Sequence, residues 1–261
     1  MSQTWLGLVS SSRNCRRLVG LFDSHYPHTI SLSPLLSYLS ERQPETFVLG
    51  GDNLSFDCIS HWNDENFKNI GFDNIRKKLH DEIEGFKKQL TLLRKAMPNA
   101  EFIYILGNHE AWLYQFSQKY PQMSDMKIGT LIEAEKFGIT IIPQGGTYRA
   151  GKLYLCHGDQ FGTENPAKQA LTRTHKSVAM GHHHNQSMWS DFSDFNAKEK
   201  HIGIVVPCYA GLSPGYGKGR PNRWVNGFLE VSIMKDGYFF PFIQHVKQDG
   251  TFISQDGTQW K

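Results

Sequence analysis

Cysteine is scarce in this chain, with four residues in 261, at positions 15, 58, 156 and 208, and no CxxC pair among them. That scatter offers neither a disulfide framework nor a thiolate metal site, and a reducing, cytoplasmic setting is expected. Long apolar runs are missing too. No stretch approaches the roughly 18 apolar residues a membrane-spanning helix needs. The apolar Trp5 to Val9 is too short for a secretory core, has no basic segment ahead of it, and runs into Ser10-Ser11-Ser12-Arg13. Charge of one sign is not in excess either, since 28 Lys and Arg against 25 Asp and Glu give a formal +3. Net charge therefore announces no nucleic-acid binder. Internal repeats and low-complexity tracts are absent. What remains is a soluble chain whose 39% hydrophobic content suits one domain over 1–261, with 185–261 as its strand-rich carboxyl-terminal part. Neither a membrane nor a protein partner is implied.

What is present is a repeated local plan. Phe102 to Leu106 is a continuous apolar run that stops at Gly107 and hands over to Asn108, His109 and Glu110. Such a run suits a strand covered on both faces, and in open α/β sheets chemistry gathers just beyond the carboxyl ends of the strands. Four more runs end in the same way. Leu18 to Phe22 leads into Asp23-Ser24-His25, and Phe47 to Leu49 leads through Gly50-Gly51 into Asp52. Leu153 to Cys156 leads into His157-Gly158-Asp159, and Val178 to Met180 leads through Gly181 into His182-His183-His184. Each of these residues alone is more often a satisfied polar group than a ligand. Together they predict five strand ends converging on one edge of one sheet.

The remaining elements fill in an α/β fold. A short helix after Pro34 crosses to the strand at 46–49, giving a βαβ start. Apolar residues from Ile75 to Met97 recur every three or four positions and mark a helix that Pro98 ends. Its Arg76-Lys77-Lys78 and Lys87-Lys88 clusters are expected to be a solvated face. A long loop is expected from Ser55 to Phe72, a helix around Trp112 to Phe116, and another from Met123 to Phe137. Strands are expected at 139–142, 153–156, 177–180, 202–206, 228–234 and 238–246, the last two joined by Lys235-Asp236-Gly237. This order predicts a two-sheet β-sandwich flanked by helices, a four-layer α/β/β/α arrangement.

Asp, His and Asn donors suit manganese, iron, zinc or nickel better than calcium. On an extended segment His182 and His184 would point one way and His183 the other, which makes His183 the non-ligand. Seven candidate ligands of Asp, His and Asn type at these strand ends are too many for one ion and suit two sharing a carboxylate such as Asp52. Paired ions stabilise both the attacking and the leaving oxygen in displacement at phosphorus.

The ordered set Asp23-x-His25, Gly51-Asp52, Gly107-Asn108-His109-Glu110, His157 and Gly181-His182-x-His184 resembles the calcineurin-like metallophosphoesterase superfamily. It is closer to compact bacterial and phage-encoded members than to eukaryotic protein phosphatases. The resemblance implies the layered fold above and two divalent transition metal ions, with manganese first. One ion would be held by Asp23, His25, Asp52 and His184, the other by Asp52, Asn108, His157 and His182. It further implies in-line attack by a hydroxide bridging the ions, with His109 as general acid. One departure matters. Protein phosphatases of the superfamily extend the second motif to Gly-Asp-x-x-Asp-Arg-Gly, but here those positions are Ser55, Phe56 and Asp57. The acid that orients the histidine and the Arg that grips phosphate are both replaced, so phosphoprotein hydrolysis is not expected. Asp57 or Asp64 is the candidate to orient His109 from a shifted position.

Substrate contacts are then sought in Tyr216 to Trp224, where Arg220, Arg223 and Trp224 combine cations with an aromatic platform. The expected activity is hydrolysis of a phosphodiester in a nucleotide or nucleic acid. Phosphomonoester hydrolysis is the close rival, and a catalytically silent phosphate or nucleic-acid binder the reading from another class.

Overall fold

Side-chain direction alternates along the strands, and that alternation sorts the core into layers. The computed structural model describes residues 15–60, 71–162, 164–191, 200–213 and 222–261. The chain runs through β1 (Cys15–Leu21), α1 (Ser33–Arg42), β2 (Thr46–Leu49), α2 (Phe72–Ala96), β3 (Glu101–Ile105), α3 (Asn108–Lys119), the single turn α4 (Ile128–Leu131) and β4 (Ile139–Ile142). It continues with β5 (Tyr148–Ala150), β6 (Leu153–Cys156), α5 (Pro166–Thr174), β7 (Ser177–Met180), β8 (Ser187–Asp191), β9 (His201–Val205), β10 (Gly227–Met234), β11 (Phe239–His245), β12 (Phe252–Ile253) and β13 (Gln259–Trp260). A six-stranded sheet has the order β11-β10-β1-β2-β3-β4, with β1 to β4 parallel. A five-stranded sheet has the order β5-β6-β7-β9-β8, with β6, β7 and β9 parallel.

On the six-stranded sheet Leu18, Val48, Ile103 and Ile105 point inward and meet Leu153, Leu155, Ala179 and Ile204 of the other sheet. Their neighbours Val19, Phe47, Phe102 and Tyr104 point the other way, onto Leu35, Leu79, Ile83, Phe86 and Leu90 of α1 and α2. Val178, Met180 and Val205 turn from the second sheet to Ala167 and Ala170 of α5. The result is the four-layer α/β/β/α fold. Full burial of a Phe or Leu in such a layer contributes about 1.5–3 kcal/mol.

The structure differs from the sequence reading in three places. The helix expected from Met123 to Phe137 is reduced to the single turn α4, and the chain leaves the helix through Glu133, whose φ of 55° is left-handed. β8 is an additional strand, paired to β9 at the sheet edge and mostly exposed, so its sequence shows no alternation of apolar and polar residues. The five strand ends do not share one sheet edge: β1, β2 and β3 belong to one sheet, β6 and β7 to the other. Among the described residues no helix is long and apolar enough to cross a membrane.

Candidate metal centre

The segments that follow β1, β2, β3, β6 and β7 meet. Asp23, His25, Asp52, His182 and His184 all have left-handed backbones, with φ of 50°, 44°, 48°, 67° and 56°. A non-glycine residue in that region costs about 1–3 kcal/mol and persists only where its surroundings over-determine it. Backbone bonds supply part of that determination: Asp23 N–H donates to Gly51 C=O at 3.1 Å, His25 N–H to Asp52 C=O at 3.0 Å, and Gly181 N–H to His157 C=O at 2.8 Å. Close approach supplies more. A Cβ on Gly107 would collide with Asp52 Oδ1, and one on Gly181 with Asp23 Oδ2.

Glu110 is the fastener of the β2 turn. Its buried carboxylate accepts from the N–H groups of Asp52 (3.0 Å), Asn53 (2.9 Å), Leu54 (3.2 Å) and Gly107 (2.8 Å), and from the Tyr104 hydroxyl (2.6 Å). Its place in the Asn-His-Glu run was visible in the sequence, but its partners on another strand's loop were not.

The donor atoms fall into three groups whose members lie within 4.8 Å of one another: Asp23, His25 and His184; Asp52, His157 and His182; and His25, Asp52 and His109. His25 Nε2 faces His184 Nε2 at 3.0 Å, and Asp23 Oδ1 lies 3.4 Å from His184 Nε2. His157 Nε2 lies 3.2 Å from Asp52 Oδ2 and 3.0 Å from Asn108 Oδ1. All seven candidate ligands of the sequence reading therefore come together. His182 and His184 arrive by a different route from the one expected, since both are left-handed rather than extended. His183 belongs to none of the three groups.

The electrostatics suit cations. Burial pulls the His25 imidazole down to about 3, helped by His184 and His109, so it offers a neutral nitrogen. Burial alone would raise the Asp52 carboxyl, yet His157 and His109 beside it hold it well below the usual carboxylate value. Burial also works against a charge on His157, but Asp52 outweighs it and lifts His157 to about 10. A cation at His157 must therefore displace a proton. Asp23 Oδ1 has no hydrogen-bond partner among the described residues although it is buried. A buried carboxylate oxygen without a donor, facing two imidazole nitrogens, fits a metal ion better than it fits a closed hydrogen-bond network.

His109 sits in the first turn of α3. Its Nδ1–H donates to the Ser55 carbonyl at 2.6 Å, its ring stacks on Trp112 with centroids 3.9 Å apart, and its Nε2 lies 3.8 Å from Asp52 Oδ2. A backbone carbonyl thus orients this histidine. Asp57, a candidate for that role, pairs instead with His28 Nε2 at 2.7 Å and accepts from Ser55 Oγ at 2.8 Å. Asp64, the other candidate, lies outside the described residues, as does Arg220. Trp224 is partly buried with its ring 4.3 Å from that of His184, whereas Arg223 is exposed. Trp112 was legible as a neighbour of His109 at helical i, i+3 spacing; the Ser55 carbonyl carried no sequence signal.

Two solved structures illustrate what the chain is similar to. A predicted phosphoesterase from Streptococcus pneumoniae TIGR4 is 11% identical, with 94% of this chain and 97% of that one covered and a TM-score of 0.39. Wild-type Vps29 from Entamoeba histolytica, complexed with zinc, is also 11% identical, with 88% and 92% covered and a TM-score of 0.44. No curated protein sequence matches. The family model for calcineurin-like phosphoesterases matches residues 23–232, which takes it past the last motif at His184 and into β10. With that match over most of its length, the chain belongs to the calcineurin-like phosphoesterase family.

Proposed function

We propose that this protein is a dinuclear metal-dependent phosphodiesterase acting on a nucleotide or nucleic-acid phosphodiester. One observation carries the reading. Two donor groups share no member, and a third draws His25 from one and Asp52 from the other, which supports two adjacent ion positions. Asp23, His25, Asp52 and His184 would hold one ion and Asp52, Asn108, His157 and His182 the other, with manganese as the expected metal. Such a pair supplies Lewis acidity at the phosphoryl group and a nucleophile at neutral pH.

The chain's own residues do the rest. The Ser55 carbonyl fixes Nδ1 of His109 as a donor, so Nε2 is the nitrogen turned to Asp52, and in the imidazolium form it carries the second proton, the one available to the leaving oxygen. Trp112 covers one face of that ring. Trp224, edge-on to His184, offers an aromatic surface beside the metals for a base to stack on, and Arg223 next to it offers a cation for phosphate. Arg220 completes the proposed substrate contacts.

Hydrolysis of bis(p-nitrophenyl) phosphate and of p-nitrophenyl phosphate, each with added manganese, tests the reading. Faster turnover of the diester is expected. Faster turnover of the monoester would make the protein a phosphomonoesterase, and no turnover with manganese, iron, zinc or nickel would make it a silent binder. An unchanged KM in both Arg220→Ala and Arg223→Ala would remove the loop from substrate binding.

A further inference from the structure

The bond that orients His109 has a second half. The peptide unit between Ser55 and Phe56 accepts from His109 Nδ1–H at its carbonyl, 2.6 Å away, and donates from its N–H to Glu82 Oε1, 2.7 Å away. A peptide carbonyl and its N–H point in opposite directions, so the three groups form one line: Glu82 carboxyl, peptide, imidazole. Hydrogen bonds in such a line polarise one another, and an acceptor on the N–H makes the carbonyl a better acceptor for the ring.

The peptide needs that support. Phe56 has a left-handed φ of 48°, a costly conformation for a bulky residue, and its ring is fully buried. Glu82 is a polar side chain within the apolar stripe of α2, flanked by the buried Leu79, Ile83 and Phe86. Helix α2 also presses closely on the loop after β1, since a Cβ on Gly85 would collide with the Tyr26 hydroxyl. Tyr26 C=O in turn accepts from Ser55 N–H at 2.9 Å. One turn of α2 therefore backs both loops that frame His109.

We propose that Glu82 is a positioning residue for His109, acting through the Ser55–Phe56 peptide in the place where a carboxylate in direct contact with the histidine would otherwise stand. The kinetic part of this inference rests on the phosphodiesterase reading above; the geometric part does not. Glu82→Asp shortens the side chain by one methylene and withdraws it from the Phe56 N–H, whereas Glu82→Gln keeps an oxygen in reach.

The test measures kcat and KM for bis(p-nitrophenyl) phosphate with manganese in both variants, alone and combined with His109→Ala. It also follows the His109 Nδ1–H proton by NMR without substrate. Glu82→Asp should lower kcat about tenfold, leave KM unchanged, and speed exchange of the Nδ1–H proton. Glu82→Gln should recover most of that loss, and Glu82→Asp should cost nothing further once His109 is Ala. A Glu82→Asp protein with wild-type exchange at Nδ1–H, or with the same loss in the His109→Ala background, overturns the proposal. If the wild-type protein turns over no phosphoester, the phosphodiesterase reading fails while the NMR comparison still decides the role of Glu82.

Discussion

On the six-stranded side of the centre, Glu110 alone satisfies four backbone N–H groups and a phenol, and Ser55 C=O and Glu82 fix the next loop. On the five-stranded side, Asp159 Oδ1, His183 Nε2, His184 Nδ1, Asn185 Oδ1 and Ser187 Oγ are buried atoms without hydrogen-bond partners among the described residues, against Asp23 Oδ1 and Asn53 Nδ2 in the turns after β1 and β2. A buried polar atom left unpaired costs about 1–3 kcal/mol. The two halves therefore hold equivalent ligands in unequal ways. The first is set largely by the protein's own hydrogen bonds, while the second keeps the larger store of unmet polar demand and is the half whose order should depend more on what it binds.

The largest test of that inequality is stability. Glu110→Ala strands four buried donors and should cost about 4 kcal/mol or more, a large share of the roughly 5–15 kcal/mol that holds a domain folded. Ser187→Ala deletes a buried, unpaired hydroxyl on the other side and should leave stability unchanged or raise it by up to about 1 kcal/mol. Urea unfolding of the two variants measures the contrast, and similar losses would erase it.

Turnover divides the halves differently. His109→Ala should keep the metal content and lower kcat for the diester by about a hundredfold to ten-thousandfold. His184→Ala removes a donor from the less secured half and should reduce the bound metal itself. Atomic emission beside the kinetics separates these outcomes, and equal metal loss in both would show that His109 is a ligand rather than an acid. A smaller effect is expected in hydrogen exchange, where adding manganese should slow amides of 181–187 more than those of 51–57. Equal slowing would mean that both halves wait for the ions.

The sequence shows the fold and the ligands unequally well, for physical reasons. Strands β1, β2, β3, β6 and β7 are legible because each is buried on both faces and reads as an unbroken apolar run, and each ligand follows its run within a few residues. β8 is an exposed edge strand and has no such pattern. The left-handed turns at His182 and His184 are invisible in a string of three histidines, since tertiary hydrogen bonds impose them. The Ser55 carbonyl and Glu82 act across 54 and 26 residues of separation respectively, and the first of them is a backbone atom. No local spacing could announce them.

Glu82 also gives the well-tied half a pH liability at its alkaline end. Burial, with the Asp57 charge adding to it, raises the Glu82 carboxyl from 4.5 to about 8, while the Phe56 and Ser55 N–H groups oppose the shift. Between those values the folded protein keeps a proton that the unfolded chain has released. The unfolded state then binds fewer protons, so stability falls as pH rises through the window; the full contribution is present below about 4.5 and lost above about 8. Gln at this position accepts the Phe56 N–H without titrating. The melting temperature of Glu82→Gln should therefore gain on wild type steadily from pH 5 to pH 8 and level off beyond, by the equivalent of about 1–2 kcal/mol once partial solvent access is allowed for. Parallel curves across that range would mean that Glu82 is ionised at neutral pH. The line from Glu82 through the peptide to His109 would then carry a full negative charge, and the six-stranded half would be fastened by charge as well as by geometry.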